Sequence, residues 1–328
     1  MEGEKGAVCV TGGTGHVASW LIMKLLQLGY SVRATVRSNS DVKKKIGFLR
    51  TLPSASEKLE IFNADLDKPS SFDAAIEGCI GVFHLAHPMD YEGEEAEEAV
   101  VKRSMEGTLG ILKACLNSKT VKRVIYTSSA AAVALNNKGL DVMDENAWSD
   151  IECCRAFSIN SSYAVSKTVT ERAALEFAEE HGLDLVTLCP SLVVGPFICP
   201  NFPISVRMGL SLIFGDGDQY KGLSQTQTCM VHIEDVAAAH IFLLECPKVE
   251  GRFICSSIQA TAYEIAQYFA IKYPEFQMPS LDLSREIENV RLLSLSSKKL
   301  LDLGFKFKYG LEEMFDEAIE CCREKGFL

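Results

Sequence analysis

Short apolar runs alternate with longer stretches whose apolar positions recur at helical spacing through the first two thirds of the chain. The pattern predicts strands at residues 7–10, 31–36, 59–63, 81–86, 121–126 and 183–189. Helices are expected between them at 17–28, 41–49, 70–76, 95–116 and 163–181. Regular strand–helix alternation of this kind builds a parallel sheet covered on both faces, so the expected fold is α/β, a doubly wound Rossmann sheet. From Pro190 onward the pattern changes, because Pro190, Gly195, Pro196, Pro200 and Pro203 interrupt regular structure. Helices at 204–213, 233–244, 264–271 and 311–325 and a strand at 251–255 follow. The expected division is a sheet domain over residues 1–189 and, over 190–328, mainly a smaller C-terminal lobe interleaved with the first. Neither repeats nor low-complexity segments occur.

The charge balance narrows the function classes. A net charge of −11 over 328 residues lacks the basic footprint that nucleic acid or an acidic membrane requires. The charged residues 1–5 run directly into the first strand, leaving no room for a signal peptide. No apolar run reaches the roughly 18–20 residues that span a bilayer, and a cytoplasmic location is expected. Twelve cysteines invite a disulfide or metal reading. Cys9, Cys189 and Cys255 lie in apolar strand-like runs, as small buried hydrophobes do. The neighbours Cys153–Cys154 and Cys321–Cys322 are poorly placed to bridge. No Cys/His spacing suits zinc, so reduced thiols and no metal are expected.

Gly13-x-Gly15-x-x-Ala18 follows a strand and opens a helix, the context in which such a motif binds a dinucleotide. Gly13 and Gly15 permit a tight turn and close approach to a pyrophosphate, and Ala18 is small enough for helix–strand packing. The helix N-terminus supplies phosphate donors. Contacts are expected across this turn, at Gly12, His16 and Val17 as well. Where an NAD site places an acid after the second strand, this chain has Arg37, followed by Lys43, Lys44 and Lys45. Arg37 can pair with a 2′-phosphate, and one lysine can add a second contact, which points to NADP(H). Asp65 and Leu66, after the third strand, are placed at the adenine edge. Leu85, Ala86 and His87, after the fourth, pass the ribose and pyrophosphate. His84 is expected to pack or bond locally rather than to catalyse.

Tyr163 and Lys167 lie one helical turn apart, so the ammonium sits beside the phenol. A nearby cation lowers a tyrosine pKa that is ordinarily about 10, which suits protonation of the alkoxide formed when hydride reaches a carbonyl. Ser129, at the carboxyl end of the fifth strand, is placed to hydrogen-bond the substrate oxygen. Ser128 is the rival for that role.

Thr11-Gly12-x-x-Gly15, Tyr126-Thr-Ser-Ser129, Tyr163-x-x-x-Lys167 and Pro190-Ser-Leu-Val-Val-Gly-Pro196 together resemble the extended short-chain dehydrogenases/reductases. The segments 29–37, 231–236 and 324–328 are similar to the plant dihydroflavonol 4-reductase-like group, in particular its vestitone reductase and noscapine synthase branch. The resemblance implies NADP(H) contacts at Arg37, Lys44, Asp65, Tyr163, Lys167, Pro190 and Val193, and a further one is expected at Ser205. It also implies substrate contacts at Ala134 and Cys229. Dihydroflavonol reductases carry Asn and Gln at those two positions, so this chain has a less polar pocket. The expected function is NADPH-dependent reduction of a polycyclic or aromatic plant carbonyl of isoflavonoid, flavonoid or alkaloid type. One rival is an NAD(P)⁺-dependent alcohol or hemiacetal dehydrogenase; another is a catalytically silent NADP-binding protein. The expected partner is a small-molecule substrate, with no nucleic acid and no membrane, for a monomer or homodimer.

Overall fold

In the computed structural model, the residues described are 5–37, 42–88, 95–137, 139, 141–156, 161–215, 228–278 and 294–328, those at 42–45 by backbone only. Strands are numbered in chain order. Seven parallel strands form the central sheet. Their spatial order is β10 (Gly251–Cys255), β7 (Leu185–Pro190), β5 (Arg123–Thr127), β4 (Gly81–His84), β1 (Ala7–Thr11), β2 (Ser31–Val36) and β3 (Leu59–Asn63). The middle of the sheet reads as continuous buried runs because helices cover both faces. Alternate side chains nonetheless enter different cores. Val8, Val10, Phe83 and Ile125 pack on one face with helix α1 (His16–Gln27) and the helix Ile233–Glu245. Cys9, Val82, Val124 and Tyr126 pack on the other. There they meet the helices named α5 (Glu97–Ser118) and α7 (Ser161–His181), which follow α2 (Val42–Arg50), α3 (Ala55–Lys58) and α4 (Asp73–Ile76) and flank α6 (Ile151–Ala156).

The smaller lobe has its own core, built on Phe197, Val206, Phe269, Phe315 and Ile319. A three-stranded sheet of β11 (Ile258–Ala260), β9 (Thr228–His232) and β8 (Leu192–Val194) supports it, and β12 (Ser294–Leu295) pairs with β6 (Val142–Met143). No described helix is long and apolar enough to cross a membrane.

Three departures from the expected elements have physical causes. The fourth strand ends at His84, two residues early, because the Leu85 and Ala86 N–H groups bond the Thr11 side-chain hydroxyl instead of a neighbouring strand's backbone. The helix expected at 204–213 is two short ones, Ile204–Gly209 and Ser211–Phe214. At their junction Gly209 lies against Val194 so closely that a Cβ would approach its side chain to 2.7 Å. Finally, Gly251–Cys255 joins the main sheet beside β7, adding a seventh strand contributed by the C-terminal part of the chain.

Candidate active site

The glycine-rich turn joins β1 to α1. Gly12 has φ +71, and a Cβ there would meet the Ala86 Cα at 3.0 Å. At Gly13 a Cβ would press on Ala34 and Ile22, both at 3.2 Å. The Gly13 N–H bonds the Thr35 carbonyl (2.8 Å), and the Gly15 N–H bonds that of Gly12 (2.9 Å), closing the turn. Gly15 is the N-cap of α1 and brings no side chain to its open N–H groups, while the first turn carries no acid. An uncapped N-terminus behind a glycine turn leaves N–H groups that could hold the pyrophosphate of a dinucleotide. Val17 stands in that first turn, and Ala18 is buried behind it.

The rim opposite this turn is held by Thr11. Its Oγ1 accepts from the Leu85 N–H (3.0 Å) and the Ala86 N–H (2.9 Å), so its own proton goes to His84 Nδ1 (2.9 Å). His84 Nε2–H then donates to Thr108 Oγ1 (2.9 Å). Burial lowers the His84 pKa to about 3, consistent with this neutral tautomer. Arg37 directly follows β2 and is exposed. Asp65 follows β3, its Oδ1 accepting from the Asp67 N–H (3.1 Å), while Leu66 is buried under Gly107. The Lys44 side chain lies outside the described residues. Pro190 ends β7, and Val193 is buried in β8. His16 reaches from α1 into the smaller lobe, where its Nε2 lies 3.4 Å from the Pro196 carbonyl and its Nδ1 lies 3.3 Å from Ser205 Oγ. Burial lowers its pKa to about 4.

Beyond β5 the two serines part. Ser128 is buried and donates to Glu171 Oε2 (2.7 Å). Ser129 is half-buried and caps the turn Ala130–Ala132, accepting the Ala131 N–H at 3.1 Å. Because it accepts there, its hydroxyl proton is available to another acceptor, which leaves Ser129 the better candidate to hold a substrate oxygen. Lys167 is buried; its Nζ donates to the Thr127 carbonyl (2.8 Å) and stands 5.9 Å from the Tyr163 ring centre and 5.4 Å from that of Tyr126. Burial lowers its pKa to about 8, and Glu171 opposes the shift. His87 meets the Tyr163 ring edge-on with centres 5.3 Å apart. Ser166 Oγ donates to the Tyr163 carbonyl, so it accepts from His87 Nε2–H (3.1 Å), and Nδ1 accepts from Ser104 (3.2 Å). Burial holds the His87 pKa below the usual histidine range.

Ala134 and Cys229 pack against one apolar cluster, which contains Val133, Met143, Cys189 and Ile254. All twelve cysteines are free thiols, and no group of metal-ligating side chains occurs among the described residues.

Residues 8–254 match the NAD dependent epimerase/dehydratase family. The chain belongs to that family. It is 52% identical to vestitone reductase of Medicago sativa, with both chains covered completely. The crystal structure of that alfalfa enzyme superimposes with a TM-score of 0.87 over 99% of this chain and 100% of the other. Noscapine synthase SDR1 of Papaver somniferum is 50% identical over 100% of this chain and 95% of its own. A dihydroflavonol 4-reductase of Callistephus chinensis is 47% identical over 100% and 89%. The dihydroflavonol 4-reductase-like grouping read from the motifs therefore stands, as does the Rossmann sheet.

Two side chains at this site escape the motif reading, Glu171 and Arg252. Glu171 falls four residues after Lys167, in register with Tyr163 and Lys167 on α7, and that spacing was the available signal. Arg252 has no local signal, since it reaches the site through the seventh strand.

Proposed function

We propose that this chain is an NADPH-dependent reductase of a polycyclic or aromatic carbonyl compound of plant specialised metabolism, with residues 1–189 holding the cofactor and 190–328 mainly shaping the substrate pocket. The observation that carries the reading is Lys167, whose Nζ donates to the Thr127 carbonyl at the end of β5, two residues before Ser129, and stands 5.9 Å from the Tyr163 ring centre. The glycine turn and open α1 N-terminus fit a pyrophosphate, and Arg37 at the end of β2 fits a 2′-phosphate. Bound there, NADPH supplies the hydride.

The protein's own groups do the rest. Ser129 Oγ donates a hydrogen bond to the carbonyl oxygen and orients it. Tyr163 Oη gives that oxygen its proton, and Lys167 stabilises the phenolate left behind. A remaining Lys167 N–H would hold the nicotinamide ribose. Ala134 and Cys229 offer methyl and thiol surface in place of amide groups, which favours an apolar ring over a catechol-type one. The same groups serve the reverse, alcohol-oxidising direction.

The test is a panel of an isoflavanone, a dihydroflavonol, a hemiacetal alkaloid and a cinnamaldehyde with NADPH, NADH and the oxidised cofactors, followed at the nicotinamide band. We expect NADPH-dependent reduction of one panel carbonyl, with Tyr163→Phe lowering kcat by at least ~10³ while NADPH still binds. Substantial kcat in Tyr163→Phe, or a higher kcat/KM with NADH, would overturn the reading.

A further inference from the structure

Directly behind the Ser129/Tyr163/Lys167 group lies a buried ion pair that the proposed reaction does not use. Glu171 and Arg252 have side-chain exposures of 0% and 6%, and Arg252 Nε meets Glu171 Oε1 at 2.9 Å. Glu171 Oε1 also accepts from Thr187 (2.6 Å), and Oε2 accepts from Ser128 (2.7 Å) and Arg252 Nη2 (3.2 Å). The remaining Arg252 donors go to the carbonyls of Glu145 (2.9 Å), Ala147 (2.6 Å) and Ala132 (3.4 Å). Its guanidinium lies 3.6 Å from the Trp148 ring centre. All three carbonyls belong to the segment that follows Ser129 and carries Ala134. One ion pair thus ties the helix bearing Tyr163 and Lys167 to the segment bearing Ser129.

Buried ion pairs are poor stabilisers compared with apolar packing, because both charges lose their hydration. Geometry is the better reason for this one, and its charge points the same way. The titratable groups facing Lys167 are Cys189 on β7, Tyr126 on β5, His84 and His87 at the end of β4, and Tyr163 on its own helix. Burial raises the Cys189 and Tyr126 pKa values and lowers those of both histidines, so these four are neutral near pH 7. Among these groups Glu171 is left as the negative charge beside Lys167, and Arg252 as a second positive one.

We propose that Glu171, paired with Arg252, is a positioning residue for the reaction proposed above: it fixes Ser129 against Tyr163 and Lys167 and supplies the counter-charge to the Lys167 ammonium. The inference rests on that reading of the site.

The decisive measurement is Glu171→Gln, which keeps the side-chain shape and removes the charge. It uses the panel carbonyl that the wild-type protein reduces fastest, with NADPH binding followed by fluorescence. Binding is expected to stay within about threefold of wild type, while kcat falls roughly 10–100-fold. Loss of a negative charge lowers the pKa of the coupled Tyr163–Lys167 pair, so the alkaline limb of kcat against pH moves to lower pH by about one unit. A merely structural role would reduce the melting temperature and leave that limb in place. The double variant Glu171→Leu/Arg252→Met replaces the pair by apolar volume and covers the case in which Glu171→Gln does not fold. It is expected to fold and remain at least tenfold slower than wild type. Wild-type kcat in that folded double variant, or a wild-type limb in Glu171→Gln, overturns the inference. If Tyr163→Phe retains its kcat, the proposed function falls first; if it is inactive and the Glu171 variants are normal, only this inference falls.

Discussion

Thr11→Val is the sharpest test of how the rim beside the glycine turn is built. The substitution keeps the β-branched shape and deletes one hydroxyl in a fully buried position. Three groups lose their partner at once: the Leu85 N–H, the Ala86 N–H and His84 Nδ1. A buried polar group left unpaired costs about 1–3 kcal/mol. Leu85 and Ala86 are half-buried, so water can reach them in part and the low end applies to each. His84 has no exposure, and its nitrogen takes a middle value of about 2 kcal/mol. The sum is about 4 kcal/mol, a large part of the roughly 5–15 kcal/mol that holds a typical domain together. Urea unfolding at pH 7, followed by tryptophan fluorescence, measures it as a lowered midpoint at unchanged slope. Thr11→Ser keeps the hydroxyl and is expected to lose only about 1 kcal/mol from the missing methyl. A Thr11→Val loss below about 1 kcal/mol, or equal losses in the two variants, would refute the three-bond account.

Two further outcomes follow. Arg37→Ala removes a cation from the end of β2, and a charge-assisted contact worth about 1.5–3 kcal/mol predicts a 10–100-fold rise in KM for NADPH with that for NADH little changed; a parallel change in both would remove Arg37 from the 2′-phosphate. His84, His232 and His240 are fully buried, and burial lowers their pKa values to about 3, 4 and 4. Below about pH 6.5 the unfolded chain takes up their protons and the folded one does not, so their stabilisation is complete above that pH and is lost as pH falls toward about 4. Each contributes a slope of up to ~1.4 kcal/mol per pH unit, and urea midpoints compared at pH 7.5 and 5.5 should differ accordingly; equal midpoints would contradict the neutral buried state.

The sequence was most legible where one physical constraint dominates a short stretch. Strands β2, β3 and β10 fall where the apolar runs place them, and the glycine turn occupies the expected strand-to-helix junction. Helix α7 carries Tyr163 and Lys167 together because a four-residue spacing on a helix leaves little freedom. Legibility fails where partners are remote. The end of β4 depends on a hydroxyl 74 residues away, and apolar character alone extended that strand to Ala86. Ser128 and Ser129 are indistinguishable as neighbours, and only Glu171 separates them by engaging one. His87, expected at the cofactor rim, also meets the Tyr163 ring, and it bonds Ser166 across 79 residues of chain.

The seventh strand imposes an order on biosynthesis. Until residues 251–255 leave the ribosome, β7 is the sheet's outer strand, and all six of its residues are ones the finished protein buries. An apolar strand with an open edge invites pairing with another chain, so this interval exposes the nascent protein to misassembly. Over the same interval Glu171 waits in the forming core without Arg252. The ion pair behind the candidate site and the last strand of the sheet thus arrive in one late step. A chain ended before residue 251 would be expected to aggregate rather than yield a working half.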